Sequence, residues 1–176
     1  MASRVSKTRL IVAIVVVAVI AIVAIALSRN SSSPSDVTLP IVMWNETTLS
    51  TLQGTPVVLN FWSIGCYWCR KQLPYLENIA QQSGGQIKII AINMADNAAN
   101  IQKFFGDYEP AMIIALDKNR EAFVNYCLAY NNTKGAIPFT LFVDSEGLVK
   151  YAKIGAFASE TELWNTLHNV LGITIP

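Results

Sequence analysis

Cys66-Tyr67-Trp68-Cys69 follows closely on an apolar run, Val57-Val58-Leu59-Asn60-Phe61-Trp62, and leads into residues of helical periodicity. No other stretch constrains the fold as much, because a buried strand must end and a helix begin within a few residues of two cysteines. Cysteines at this spacing can form a reversible disulfide, and the positive end of the helix favours a thiolate on the first of them. The placement supports redox chemistry.

The residues around this junction predict an alternation of strands and helices. Residues 49–54 predict a short turn or helix, 56–62 a strand, and 66–82 a helix with Leu73, Leu76, Ile79 and Ala80 on one face, ending at Gly84-Gly85. Pro74 removes the amide that would bond the Arg70 carbonyl, so a kink is expected one turn past the cysteines. The β-branched run in 86–94 predicts a buried parallel strand, 97–105 a helix, 111–116 a strand and 119–130 a helix. Residues 139–143 and 148–154 predict a hairpin whose turn, Asp144-Ser145-Glu146-Gly147, places glycine where φ is positive. A closing helix follows, capped by Ser159 with Glu162 three residues on, burying Leu163, Trp164, Leu167, Val170 and Leu171. This order describes an α/β fold: a mixed central sheet, parallel first and antiparallel at one edge, with helices on both faces.

Hydrophobic residues make up 52% of the chain, more than one such domain requires, and the excess lies in Leu10 to Leu27, an unbroken aliphatic stretch. As a helix it is long enough to cross most of a bilayer's hydrocarbon core. Arg4, Lys7 and Arg9 precede it, so the expected organisation is a cytoplasmic basic N-terminus at 1–9, a transmembrane anchor at 10–27, a flexible tether at 28–40 and an extracytoplasmic domain at 41–176. A cleaved signal, with Ala24-Ile25-Ala26 as its small-residue site, would export the domain equally; the length of the apolar run favours the anchor. All 12 acidic residues but only nine of the 13 basic ones follow Ser35, so the exported part carries a net charge of −3. That balance argues against nucleic acid as a partner.

Disulfide exchange needs an attacking thiolate, a second thiol to resolve the mixed disulfide, and access for a partner's sulfur. Cys66 at the helix start is the expected nucleophile and Cys69, one turn in, the expected resolver. Cys127 is left over and reads as a small buried apolar residue. Structural zinc would want four ligands, with only Cys127 and His168 to add, and covalent haem attachment would want histidine where Arg70 stands.

The strand 57–62, the motif Cys66-Tyr67-Trp68-Cys69-Arg70-Lys71-Gln72-Leu73-Pro74, and Gly135-Ala136-Ile137-Pro138-Phe139-Thr140-Leu141-Phe142-Val143-Asp144 with Gly147 together resemble the thioredoxin superfamily. Within it the chain is most similar to the TlpA/ResA-like branch of membrane-anchored extracytoplasmic thiol-disulfide oxidoreductases. The resemblance spans about residues 45–172. It implies a thioredoxin-like fold and a cis-proline at Pro138 facing the cysteines, with the Ile137 backbone free to pair with an extended segment of the partner. Tyr67 and Trp68 are the other residues expected to meet that partner. It also implies no dissociable cofactor, and reduction of exported protein thiols or disulfides, apocytochrome c among them, with electrons from a membrane-embedded donor.

The chain departs from that pattern at four places. Gly65 stands where tryptophan usually precedes the first cysteine, Asn60, as in the ResA-like branch, where thioredoxins bury aspartate, and Gln72 where that branch often has glutamate. Trp68 replaces the common proline and restores an amide expected to point at the Cys66 sulfur, which would make the disulfide more oxidising. The same cysteines could serve an oxidase or isomerase, and the rival from another class is a thioredoxin-fold module whose thiols hold copper. His168 reads as a surface or packed histidine, the triplets at Asn45 and Asn131 as chance glycosylation sequons, and Asp96, Asp107 and Glu109 as solvated loop charges.

Overall fold

The computed structural model describes residues 12–17, 38–39, 47–48 and 54–174. Residues 12–17 are helical and exposed; the rest of the expected anchor, the basic N-terminus and residues 49–53 lie outside the described residues. Among the described residues no helix is long and apolar enough to cross a membrane. Inside the stretch read as tether, β1 (Thr38–Leu39) pairs antiparallel with β2 (Thr47–Thr48).

The domain proper runs β3 (Val57–Trp62), α1 (Tyr67–Gln82), β4 (Lys88–Asn93), α2 (Ala98–Phe105), β5 (Ile113–Leu116), α3 (Glu121–Ala129), β6 (Phe139–Val143), β7 (Val149–Ile154) and α4 (Glu160–Leu171). The sheet order is β5-β4-β3-β6-β7, with β3, β4 and β5 parallel and β6 and β7 antiparallel to their neighbours. Every residue of β3 is buried, as a central strand covered on both faces requires. Its alternation sends Val58 and Trp62 to the face holding Leu73, Leu76 and Ile79 of α1 and Leu163 and Leu167 of α4. Leu59 and Phe61 turn to the other face, against Phe123 and Tyr126 of α3 and Phe139 of β6.

Local chemistry sets the element ends. Asn97 caps α2 through Asn100 N–H at 2.9 Å, and Ser159 caps α4 through Glu162 N–H at 3.1 Å. The Glu162 carboxylate accepts from Ala158 N–H at 2.7 Å, one residue before the position a strict capping box uses, and from Lys153 at 3.0 Å. Gly147 takes φ +84° in the β6–β7 turn, the conformation the glycine was expected to supply. Helix α1 is continuous on both sides of Pro74.

Glu77, to which the sequence pattern assigned no role, is buried on the inner side of α1. Its Oε1 accepts from the Tyr108 hydroxyl, Gln81 Nε2 and Ala111 N–H, each at 2.8 Å, and its Oε2 from Met112 N–H at 3.1 Å. Burial by itself raises the pKa of this carboxyl, but the bonds from Ala111, Tyr108, Met112 and Gln81 outweigh it and hold the group below its ordinary value. The carboxylate thus fastens the segment leading into β5 onto α1.

Candidate active site

Strand pairing assembles the site. Because β6 runs antiparallel to β3 with Phe139 opposite Phe61 and Thr140 opposite Asn60, the chain entering β6 lies beside the chain leaving β3. Ile137-Pro138 therefore meets the loop that carries Cys66, although the two are 71 residues apart in sequence. The Ile137–Pro138 peptide bond is cis, as the resemblance implied. The Ile137 carbonyl oxygen lies 3.8 Å from Cys66 Sγ.

Cys66 and Cys69 are joined as a disulfide, their Cα atoms 5.2 Å apart. Cys66 is the N-cap of α1, with extended backbone at φ −81° and ψ 109°. Its sulfur takes the place of a capping oxygen and accepts from Cys69 N–H at 3.1 Å. This corrects one expectation. The amide anticipated on the Cys66 sulfur was that of Trp68, whereas the donor is one residue further on, because a side chain at the cap reaches the third helical amide. That donor is present whatever residue stands at position 68.

The two sulfurs differ in access. Cys66 is half-buried and Cys69 is 0% exposed, while the intervening Tyr67 and Trp68 are 55% and 63% exposed. The two rings meet edge to face at 5.1 Å, and Lys71 Nζ stands 5.7 Å from the Tyr67 centroid. Large aromatic surface left in water beside a reactive disulfide is surface available to a partner. No acidic residue occupies the first turn of α1, and Arg70 and Lys71 are exposed just beyond the motif.

Beneath the motif lies an uncharged polar chain. Thr140 Oγ1 accepts from Asn60 Nδ2 at 2.9 Å and from Gln72 Nε2 at 3.2 Å, and Gln72 Oε1 accepts from Phe157 N–H at 3.0 Å. All three side chains are at most 1% exposed. Asn60 and Gln72 are thus tied to each other through one hydroxyl. Asn60 Oδ1 is a buried acceptor without a partner among the described residues.

Several positioning residues escaped the sequence reading. Asp96, read as a solvated loop charge, accepts from Ile64 N–H at 2.8 Å and Asn93 Nδ2 at 2.9 Å, clasping the loop before Cys66 to the end of β4. Asn132 is buried; its Nδ2 donates to the Ala136 carbonyl and its Oδ1 accepts from Ala136 N–H, both at 2.9 Å, bracing the approach to Pro138. An aspartate or asparagine in a loop between elements is the only sequence signal for either. Cys127 is buried on α3, and burial raises its thiol pKa despite opposing contributions from Arg120 and Asn132. His168 is exposed on α4, its Nδ1 3.5 Å from the Thr174 hydroxyl.

The Redoxin family model matches residues 29–168 of the chain. Thiol-disulfide oxidoreductase ResA of Geobacillus thermodenitrificans is 28% identical over 138 residues, which cover 77% of this chain and 74% of that protein. ResA of Bacillus subtilis is 28% identical over 125 residues, 70% of this chain and 66% of that one. Among solved structures, a secreted Mycobacterium tuberculosis disulfide oxidoreductase homologous to E. coli DsbE matches with a TM-score of 0.66 at 19% identity, covering 79% of this chain and 99% of the other. At that identity the likeness carries the fold, which is thioredoxin-like.

Proposed function

The chain belongs to the Redoxin family as a ResA-like thiol-disulfide oxidoreductase of the thioredoxin superfamily, and we propose that it works as a membrane-tethered reductase of exported cysteine proteins. In the reduced enzyme, the Cys66 thiolate attacks a partner disulfide, forming a mixed disulfide and releasing one partner thiol. Cys69 then attacks Cys66, re-forming the Cys66–Cys69 bond and releasing the second partner thiol. The partner gains two electrons and the enzyme loses two, to be restored by a membrane-embedded donor.

The observation that carries this reading is the asymmetry of the two sulfurs. Cys66, half-buried at the helix end, receives an amide hydrogen bond and lies against the Ile137 carbonyl, whereas Cys69 is shut away from any partner. An attacking thiol needs access and thiolate stabilisation, and a resolver needs only the other cysteine. Tyr67, Trp68, Ile137 and Pro138 form the surface on which the partner segment lies. The reductive direction is the one that the resemblance to the TlpA/ResA-like branch implies. Residues 10–27 anchor the chain and place the domain outside the cytoplasm, where apocytochrome c is one substrate class of the right chemistry.

Expression of Cys69→Ser in the native membrane tests the proposal. Conjugates that are dissolved by dithiothreitol and contain exported cysteine proteins are expected, together with none from Cys66→Ser. Acid-quenched alkylation of the wild-type chain should find the pair mostly reduced in cells; a mostly oxidised pair would assign the oxidase direction instead. If the wild-type chain exchanges with no disulfide and Cys69→Ser traps nothing, the reading fails.

A further inference from the structure

A cavity of about 530 Å³ opens beside the motif, its lining including Ser63, Asp96, Lys118, Arg120, Gly135 and Ile137. Ile137 belongs to both places, since its carbonyl faces Cys66 Sγ. A partner segment bonded to Cys66 and extended along Ile137 therefore runs along the border of this cleft.

The charges in the cleft are unequally committed. Asp96 Oδ2 is held by Ile64 N–H and Asn93 Nδ2. Asp117, also in the lining, is buried, with Oδ1 on Ala122 N–H at 3.3 Å and Oδ2 on Phe123 N–H at 2.7 Å, so it caps α3 in place of the side chain at the cap position. Both carboxylates are balanced by donors built into the fold. Lys118 and Arg120 are exposed, and neither has an ion-pair partner among the described residues.

Arg120 is also placed with unusual care. It adopts the left-handed conformation at φ 59°, which disfavours a long side chain, and its guanidinium lies 5.5 Å from the Phe123 ring centroid. The same ring lies 3.6 Å from where a Cβ on Gly135 would sit, so the arginine, the phenylalanine and the loop before Ile137 form one wall. Strain at a surface position is retained where the surrounding structure determines it, and this one presents a cation in the cleft that Ile137 also lines.

We infer that this cleft is a specificity pocket that receives an acidic side chain flanking the reactive cysteine of the partner, with Arg120 and Lys118 as its counter-charges. The inference rests on the disulfide-exchange reading and adds the partner's chemistry to it. The pocket selects among exported cysteine segments: one with glutamate or aspartate beside its cysteine is bound in register with Cys66, and one with lysine there is repelled.

The test uses the full-length reduced chain in detergent and a set of disulfide-bonded peptides with Glu, Gln or Lys at each of about three positions on either side of the attacked cysteine. Second-order rate constants for exchange are measured at low and high salt. At one or more positions the Glu peptide should react about fivefold faster than the Lys peptide at low salt, with Gln between them and the spread shrinking at high salt. In the double variant Lys118→Gln, Arg120→Asn the ratio should fall to about one; asparagine is chosen because it tolerates the left-handed backbone. The ratio is taken within each protein, so any loss of folded fraction cancels. Equal rates for Glu and Lys peptides at every position, or a ratio kept in the double variant, would overturn the pocket. Absence of exchange with every peptide, Gln series included, would instead overturn the disulfide-exchange reading on which it stands.

Discussion

Glu77→Gln offers a sharp test of what holds the domain together. Glutamine keeps the shape of the side chain but has one carbonyl oxygen in place of two carboxylate oxygens. The better orientation leaves that oxygen with Ala111 N–H, the Tyr108 hydroxyl and Gln81, and turns the NH₂ group toward Met112 N–H, which then faces a donor. Met112 is buried, so water cannot easily take over. Losing a charge-assisted bond and leaving a buried amide unpaired costs about 2–4 kcal/mol, or about 10 °C in Tm for a domain of this size. The pH dependence follows from the lowered pKa of Glu77. A carboxyl whose folded pKa is depressed contributes stability above its unfolded pKa and loses it as pH falls through the folded value. The gap between wild type and Glu77→Gln should therefore be full near neutral pH and narrow as pH falls below the ordinary carboxylate range through the lowered folded value, where the wild-type carboxyl also becomes protonated. Urea unfolding of both proteins, disulfide oxidised, across that range measures it. A gap below about 0.5 kcal/mol at neutral pH, or one that does not change with pH, would refute the reasoning.

Three further outcomes follow from the site. Trp68→Pro leaves the Cys69 N–H bond to Cys66 Sγ in place, so the potential measured against glutathione should move by less than about 30 mV; a fall beyond about 60 mV would mean that the Trp68 amide matters after all. Asn60→Asp puts a carboxyl where burial raises its pKa, so the unfolded chain ionises first and stability drops as pH rises from the ordinary carboxylate range toward the folded value. The expected penalty is about 3 kcal/mol near neutral pH and close to zero near pH 4, and a flat urea profile would contradict it. In the reduced native protein, iodoacetamide should modify Cys66 at least about tenfold faster than Cys127, whose thiol burial holds protonated, and Cys127→Ala should exchange disulfides at the wild-type rate; equal labelling would place Cys127 within reach of solvent.

Much of the fold was legible because period and punctuation are local. The β-branched run through Ile89, Ile90 and Ile92 marked a buried strand, and Ser159 with Glu162 marked the start of the last helix, each from neighbours within a turn. Strand and helix ends moved by a residue or two, as at Lys88 and Glu121, where capping and pairing rather than composition decide the boundary. The motif itself was legible for the same reason, being four consecutive residues. What the pattern missed were side chains whose partners are distant in sequence: Asp96 on Ile64, Glu77 on Ala111 and Met112, Gln72 on Thr140 and Phe157. A lone polar residue in a loop or on a helix looks solvated until the element that desolvates it is known.

The amino-acid sequence by itself determined that two cysteines stand at the junction of a buried strand and a helix, in an order of strands and helices that yields a mixed sheet. Hydrophobic period, helix capping and turn chemistry act over a few residues and can be read where they occur. Tertiary structure alone decided which sulfur stays in reach, which amide bonds it, that the Ile137 carbonyl faces it, and that Arg120 and Lys118 line the cleft Ile137 shares. Those outcomes depend on the antiparallel register of β6 on β3 and on how deeply each element is covered, and neither quantity exists until distant parts of the chain have packed.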